Sequence, residues 1–508
     1  MVGKVWLVGA GPGDAGLFTL KGKKVLEDAD VVVYDALVGE GVLSMIPEKA
    51  ERIFAGKRSG HHFLKQDETN RVLFEEAQKG KKVVRLKGGD PFLFGRGGEE
   101  LELLAENDIP FEIIPGITSA FAVPAYNGIP VTHRDFCSSV HIITGHKRLN
   151  RKYDIDFKAL VQAKGTLIFL MGIAALPDIT SGLLEAGMDP QTPSAVLEQG
   201  TTAAQRRISA PLIDLPETCE KAGVVTPAII IVGQVTDLAE KFSWYEKQPL
   251  AGIKVVVTRP KESVSALSAM LREKGAEVLE YPSILISPVK EKEPVMQALQ
   301  KLEEHWYDWV VFTSPNGVRI FLEELIRDSD IRSFAGTKIA AIGKGSEKAL
   351  RGYGLKPDFI PSVYDGETLG AELSRICKGN ERILIPRATI GNPELPDKLK
   401  EVPGVTIDDV AVYDTYYETE HPFDIRGDIE KGAIDLAVFT SASTVRGFAE
   451  SLKGTDITGI RAVCIGKQTK KAAVEYGMVC TTAPKATLDS LVECVVHTAD
   501  EIKKQKQR

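Results

Sequence analysis

The residues Gly11-Pro12-Gly13-Asp14-Ala15-Gly16 satisfy the spacing G-x-G-x-x-G. In a strand-to-helix turn that spacing lets backbone N–H groups cradle a dinucleotide pyrophosphate. An apolar run, Val5 to Val8, precedes it, and a second run, Val31 to Val33, leads to Asp35, where a ribose-binding acid is expected. Pro12 argues against this chemistry. Proline has no N–H to give a phosphate, and a rigid G-P-G turn suits packing against a flat, uncharged adenosine.

A second glycine-rich segment, "RLKGGDPFLFGRGGEE" (Arg85 to Glu100), also follows a strand-like run. Its Gly88-Gly89-Asp90-Pro91 offers backbone and a carboxylate to a ribose or an amino-acid moiety. A third turn, "PGITSAFAVPAYNGIPVTHR" (Pro115 to Arg134), brings hydroxyls at Thr118 and Ser119 and the phenol of Tyr126. Three such turns at successive strand ends predict one large cofactor-and-substrate cleft. A ligand lacking phosphates, such as S-adenosylmethionine, fits that set.

Short β-branched runs alternate with amphipathic stretches up to about Thr236, which reads as α/β. Strands are expected at Val5–Val8, Val31–Val33, Lys82–Leu86, His141–Thr144, Thr166–Leu170 and Ala228–Val232, with helices at Gly16–Glu27, Glu68–Gln78 and Gly98–Glu106. "KFSWYEKQPL" (Lys241 to Leu250) reads as a linker, giving domains of 1–242 and 252–508. The second half repeats itself. "VVFTSPNGVRIFLEEL" (Val310 to Leu325) matches "AVFTSASTVRGFAESL" (Ala437 to Leu452), and "KIAAIGKGSEKALRGYG" (Lys338 to Gly354) matches "RAVCIGKQTKKAAVEYG" (Arg461 to Gly477). "VVVTRP" likewise echoes "ILIPRA", each a strand ending in Arg259 or Arg387. A period this long excludes a solenoid. It predicts two like α/β lobes, each F-T-S and I-G lying at a strand's carboxyl end, where open sheets hold ligands.

Composition bounds the class. The chain has 508 residues, 43% hydrophobic and 26% charged, as soluble globular proteins do. It has no apolar run of membrane-spanning length and no signal peptide, so a cytoplasmic protein is expected. Six scattered cysteines without a C-x-x-C pair read as reduced thiols, not as a disulfide frame or zinc site, and no metal site is expected. A formal charge of -7 argues against a general nucleic-acid binder. Lys81, Lys82, Arg85 and Lys87 read as solvated strand ends.

"GAGPGD", "VVVYDALV", "AGKR", "VVRLKGGDPFLFGRGGEE" and "PGITSA", in this order, resemble the tetrapyrrole methylase family, and within it the uroporphyrinogen-III C-methyltransferases. The resemblance covers nearly all of residues 1–240. It implies two stacked α/β lobes, usually dimerised, with S-adenosylmethionine folded between them. Position by position it assigns the cofactor to Pro12, Gly88, Gly89, Asp90, Leu93, Thr118, Ser119, Met171 and Gly200. Asp35 matches the family's proton acceptor and Lys57 its proton donor. Arg58 and Arg134 are candidates for the substrate carboxylates. The implied reaction puts two methyl groups on uroporphyrinogen III, giving precorrin-2, from which sirohaem, cobalamin or another branch can follow.

Residues 252–500 resemble the uroporphyrinogen-III synthase family, through Thr258-Arg259-Pro260, the two F-T-S turns, the two I-G turns and "VYDTY" around Tyr413. The resemblance implies a two-lobed fold that cyclises hydroxymethylbilane with inversion of the last ring. Tyr413 is the candidate to assist loss of the hydroxyl. Thr313, Ser314, Ser346, Thr440, Ser441 and Thr469 are candidates for binding acetate and propionate groups or, equally, for capping helices. Two other readings stay open. One is a methyltransferase for a different corrin precursor with a non-catalytic tetrapyrrole-binding second half; the other is a dinucleotide-dependent oxidoreductase.

Overall fold

In the computed structural model the described residues are 2–56, 65–145, 155–258, 264–391, 393–421 and 423–506. They fold into two compact units. One is built chiefly of Met1–Val255 with Ala269–Glu280, the other of Val256–Ser268, Tyr281–His421 and Arg426–Arg508.

The first unit carries two sheets. Lys4–Gly9 (β1), Val31–Tyr34 (β2), Glu51–Phe54 (β3), Lys82–Lys87 (β4) and Phe111–Ile114 (β5) form an all-parallel sheet of order β3-β2-β4-β1-β5. Val31, Val32 and Val33 are fully buried, as a strand covered on both faces must be, and this is why the run is unbroken. Val140–Thr144 (β6), Thr166–Leu170 (β7), Pro193–Glu198 (β8), Arg206–Pro211 (β9) and Ala228–Val232 (β10) form the second sheet, of order β6-β7-β10-β8-β9. There only β6 and β7 run parallel; the other neighbours are antiparallel. Val5, Leu7, Leu73 and Leu104 centre the core of the first sheet, and Leu167, Phe169, Val196 and Ile230 that of the second.

One helix starts later than the sequence predicts. Asp14 caps a single 3₁₀ turn, Ala15–Leu17, and Thr19 then caps the helix Leu20–Glu27, accepting from Gly22 N at 3.1 Å. The first glycine turn therefore does not open directly into a helix N-terminus, the geometry that a pyrophosphate needs. The segment Lys241–Leu250 has neither helix nor strand, but it is anchored: Tyr245 and Leu250 are buried.

The second half contributes Lys254–Val257 (β11), Glu277–Glu280 (β12), Ile284–Pro288 (β13), Trp309–Phe312 (β14) and Lys338–Ala341 (β15). It continues with Arg382–Ala388 (β16), Thr406–Tyr417 (β17), Leu436–Phe439 (β18), Arg461–Cys464 (β19) and Val479–Thr482 (β20). The sheets run β13-β17-β16-β14-β15 and β12-β11-β18-β19-β20. The sequence repeat is a structural repeat. β14 pairs with β15 and β18 with β19, both parallel, in register from Trp309↔Lys338 and from Leu436↔Arg461.

Near the end of β17 the His421 ring stacks on Tyr281, centroids 3.5 Å apart, and Tyr281 meets Phe448 edge-on. Burial pushes the imidazole pKa down to about 4, and its Nε2 lies buried without a hydrogen-bond partner among the described residues. A base with a depressed folded-state pKa stays neutral while the unfolded chain takes up a proton below about pH 6.5. Its contribution is present above that value and lost as pH falls towards 4. The wild type is expected to lose about 1–3 kcal/mol more than His421→Gln between pH 7 and 4.5. Urea unfolding of the intact chain at both pH values checks this, and equal losses would show that His421 titrates normally.

Candidate functional site

The three turns of the first unit converge backbone to backbone. Gly11 and Gly89 form a two-way bridge, Gly11 N to Gly89 O at 3.2 Å and Gly89 N to Gly11 O at 2.7 Å. A Cβ on Gly116 would stand 2.2 Å from Gly89 O, so only glycine allows the third turn to reach the second. Gly89 itself has φ +67°, and the space where its Cβ would point is open.

Carboxylates organise these turns. Asp90 Oδ1 accepts from Phe92 N at 2.8 Å and Leu93 N at 3.2 Å, and its Oδ2 accepts from Gly116 N at 3.0 Å. Asp90 thus ties the second turn to the third, and its carboxylate is engaged by backbone. Thr118 caps the helix Ser119–Tyr126, its Oγ1 accepting from Ala120 N at 3.2 Å. Asp35, past the end of β2, accepts through Oδ1 from Leu37 N at 3.0 Å and Gly88 N at 3.4 Å, while Oδ2 lies 3.7 Å from Arg85 Nη2.

The second sheet carries two further candidates. Met171 follows β7 at φ +55° with 54% of its surface exposed. Gly200 follows β8, and its Cβ position lies 2.3 Å from Val123 of the third-turn helix. Left-handed backbone occurs at Phe94 and Arg96, in the second turn, and at Met171, Gln199 and Thr201, after β7 and β8. None of the nine cofactor candidates is cationic, and Pro12 lacks an N–H. Lys57 and Arg58 lie outside the described residues. Arg134 stands exposed in the turn bridged by His133 and Cys137.

The reading of Arg85 and Lys87 as solvated strand ends is corrected here. Both are 5% exposed, on a central strand, and both bond to Glu100, which is 0% exposed. Arg85 Nε reaches Glu100 Oε1 at 3.0 Å and Lys87 Nζ reaches it at 2.7 Å. Burial and the Arg85 charge push the Lys87 pKa down, with Glu100 pulling the other way. Lys81 and Lys82, by contrast, lie at the sheet's start, paired with Glu51, Glu76 and Asp28. Two cations on one side of a central strand, spaced i,i+2, were the available signal, because a buried charge demands a partner.

In the second unit Tyr413 is buried in the core on β17, its hydroxyl 3.0 Å from Ser314 Oγ. Burial raises its pKa, the Ser314 bond acting against this, so the phenol is protonated at neutral pH. Both F-T-S serines are helix N-caps: Ser314 Oγ accepts from Gly317 N at 2.9 Å and Ser441 Oγ from Thr444 N at 3.2 Å. Thr313 and Thr440, immediately before them, are partly exposed at strand ends. Ser346 and Thr469 are 1% and 4% exposed, within the helices that follow the I-G turns. Arg387 is held by Asp409, and Arg259 lies outside the described residues. No helix among the described residues is long and apolar enough to cross a membrane.

Fold and site together define a tandem α/β protein whose candidate residues gather at strand ends. Residues 4–216 match the tetrapyrrole (corrin/porphyrin) methylase model and residues 265–493 the uroporphyrinogen-III synthase HemD model. A relative from Ruminiclostridium josui, named porphyrin biosynthesis protein HemD, is 45% identical over 492 residues, 97% of each chain. The chain is 50% identical over 243 residues to sirohaem synthase of Escherichia fergusonii, spanning about half (52%) of that protein's length. A crystal structure of uroporphyrin-III C-methyltransferase from Thermus thermophilus complexed with S-adenosylhomocysteine is 38% identical, with a TM-score of 0.41, over 46% of this chain and 100% of that one. The chain belongs to the family of fused tetrapyrrole-biosynthesis proteins that join a tetrapyrrole methylase domain to a uroporphyrinogen-III synthase domain.

Proposed function

We propose that residues 252–508 convert hydroxymethylbilane to uroporphyrinogen III and that residues 1–242 methylate it twice, giving precorrin-2. The observation that carries this reading is the meeting of three turns, Gly11 bridged to Gly89 and Gly116 held by Asp90, with Asp35 accepting from Gly88 N. The full-length match to a porphyrin biosynthesis protein supports joining the two halves in one route.

S-adenosylmethionine, when bound, supplies an electrophilic methyl group on a sulfonium. Pro12, Gly88, Gly89, Asp90, Leu93, Thr118, Ser119, Met171 and Gly200 would hold it through backbone, hydroxyl and apolar contacts. The walls exclude water and hold the pyrrole carbon in line, which is the larger part of the catalysis. Each transfer adds a methyl cation to the macrocycle and releases one proton. Asp35 takes that proton, with Lys57 as the donor for the isomerisation. Arg58 and Arg134 pair with the substrate's carboxylates.

Cyclisation loses one water, and the task is to direct attack to the substituted ring position. Tyr413, protonated and bonded to Ser314, donates to the departing hydroxyl. Thr313, Ser314, Thr440 and Ser441 bind acetate and propionate groups at the two strand ends; Ser346 and Thr469, expected to do the same, are too enclosed to reach them, at 1% and 4% exposure. We also propose a cytoplasmic homodimer formed through the first unit.

The test is mass spectrometry after freshly made hydroxymethylbilane is supplied to the purified chain. Type III uroporphyrinogen is expected without S-adenosylmethionine, and a dimethylated product with it. Type I product alone in the first arm, as in a protein-free control, would sink the synthase reading. An unmethylated product in the second arm, with authentic uroporphyrinogen III supplied, would sink the methyltransferase reading.

A further inference from the structure

Four residues of the first unit close a ring of hydrogen bonds. Tyr126 Oη donates to Asp14 Oδ2 at 2.7 Å, and Asp14 N donates to Thr201 Oγ1 at 3.2 Å. Thr201 N donates to Gln205 Oε1 at 2.8 Å, and Gln205 Nε2 returns to Tyr126 O at 3.2 Å. The ring joins the first turn, the end of the third-turn helix and the turn after β8, and so ties one lobe of the unit to the other. Asp14 is separated from Thr201 by 187 residues, so no local preference builds this contact.

The ring is held stiffly. Tyr126 is wedged between Trp244 and Tyr245, ring centroids 5.2 and 5.1 Å away, and Trp244 Nε1 bonds to Ala125 O at 2.9 Å. Asp14 Oδ1 is taken by Gly16 N at 2.7 Å, which fixes the carboxylate so that Oδ2 faces the phenol. Thr201 sits at φ +68°, a strained conformation that its surroundings must enforce. Gly13 has no room for a side chain here, since its Cβ position lies 2.9 Å from Thr201 Oγ1. Asp14 and Thr201 follow closely on cofactor candidates, Pro12 and Gly200, and Tyr126 ends the helix that begins at Ser119.

We infer that Tyr126 is a positioning residue of the first unit: its bond to Asp14 closes a ring that sets the spacing of three turns around one nucleoside-bearing ligand. The inference rests on the reading of that cleft as the S-adenosylmethionine site. Tyr126 touches no reacting atom in this scheme. It acts through Asp14 and Thr201, and its loss leaves a charged acceptor without its donor, a change worth about tenfold in affinity.

Calorimetric titration of the intact chain with S-adenosylhomocysteine tests this. Tyr126→Phe keeps the aromatic packing and is expected to raise Kd about tenfold, with the thermal midpoint lowered by a few degrees at most. Gln205→Met cuts the same ring elsewhere and provides a second variant should the first not fold. The double variant is expected to bind no more weakly than the weaker single one, because both cuts open one ring. Binding by Tyr126→Phe within about twofold of wild type would overturn the inference and leave the ring a scaffold. Wild-type protein that fails to bind S-adenosylhomocysteine would overturn the cofactor reading and the inference with it.

Discussion

Asp35→Asn is expected to slow methyl transfer by about 10²–10⁴-fold, the range a positioned general base supplies. Asparagine is nearly isosteric and keeps an oxygen where Oδ1 now accepts from Leu37 N and Gly88 N, so the turn that carries Gly88 and Gly89 persists. What it removes is the proton-accepting oxygen and the charge facing Arg85 at 3.7 Å. The check is the initial rate of methylated-product formation from authentic uroporphyrinogen III. Cyclisation of hydroxymethylbilane by the same preparation serves as an internal control for folding. A rate within threefold of wild type would make Asp35 a turn cap and nothing more. Loss of both activities together would point to misfolding.

The second large effect concerns stability. Glu100→Ala is expected to destabilise the intact chain by about 3–5 kcal/mol, because it leaves two buried cations without their anion. Arg85 Nε and Lys87 Nζ both depend on Glu100 Oε1. The other carboxylate near Arg85 is the more distant Asp35, at 3.7 Å, and Arg85 Nη1 reaches only the neutral carbonyls of Val33 and Leu86 among the described residues. Urea denaturation at pH 7 measures the loss. The sign with pH is set by Lys87, whose folded-state pKa is already lowered, chiefly by burial. Without Glu100 it falls further, the unfolded state binds the extra proton, and the deficit of the variant shrinks as pH rises towards 10. Replacing the triad together by apolar residues of similar volume should recover much of the loss. Methyl transfer should stay impaired in that triple variant, since Asp35 then lacks Arg85. A deficit under about 1 kcal/mol for Glu100→Ala would mean that water reaches the triad.

These experiments probe features of unequal visibility in the sequence. The valine run at Val31–Val33 marked a strand, and Thr166–Leu170 and Ala228–Val232 are strands with the bounds their composition predicts. The doubled F-T-S and I-G turns marked a structural repeat, because each follows a strand of the same apolar pattern. Pro12 was readable as an obstacle to phosphate binding, since the missing N–H belongs to the residue itself. The serines at Ser314 and Ser441 were ambiguous for a physical reason: a hydroxyl ahead of a helix can cap it or bind a ligand, and composition does not separate the two.

Segment types and turn chemistry thus follow from the sequence alone, since strand patterning, caps and glycine turns depend on residues within a few positions. Only the tertiary structure decided that Arg85 and Lys87 are buried upon Glu100 rather than solvated, that Lys241–Leu250 is pinned by Tyr245 and Leu250, and that Asp14 meets both Tyr126 and Thr201. Burial and hydrogen-bond pairing are set by groups that folding brings together from far along the chain. A charged side chain reads the same in sequence whether it faces water or a carboxylate, and the difference arises only when the surrounding sheets and helices close over it.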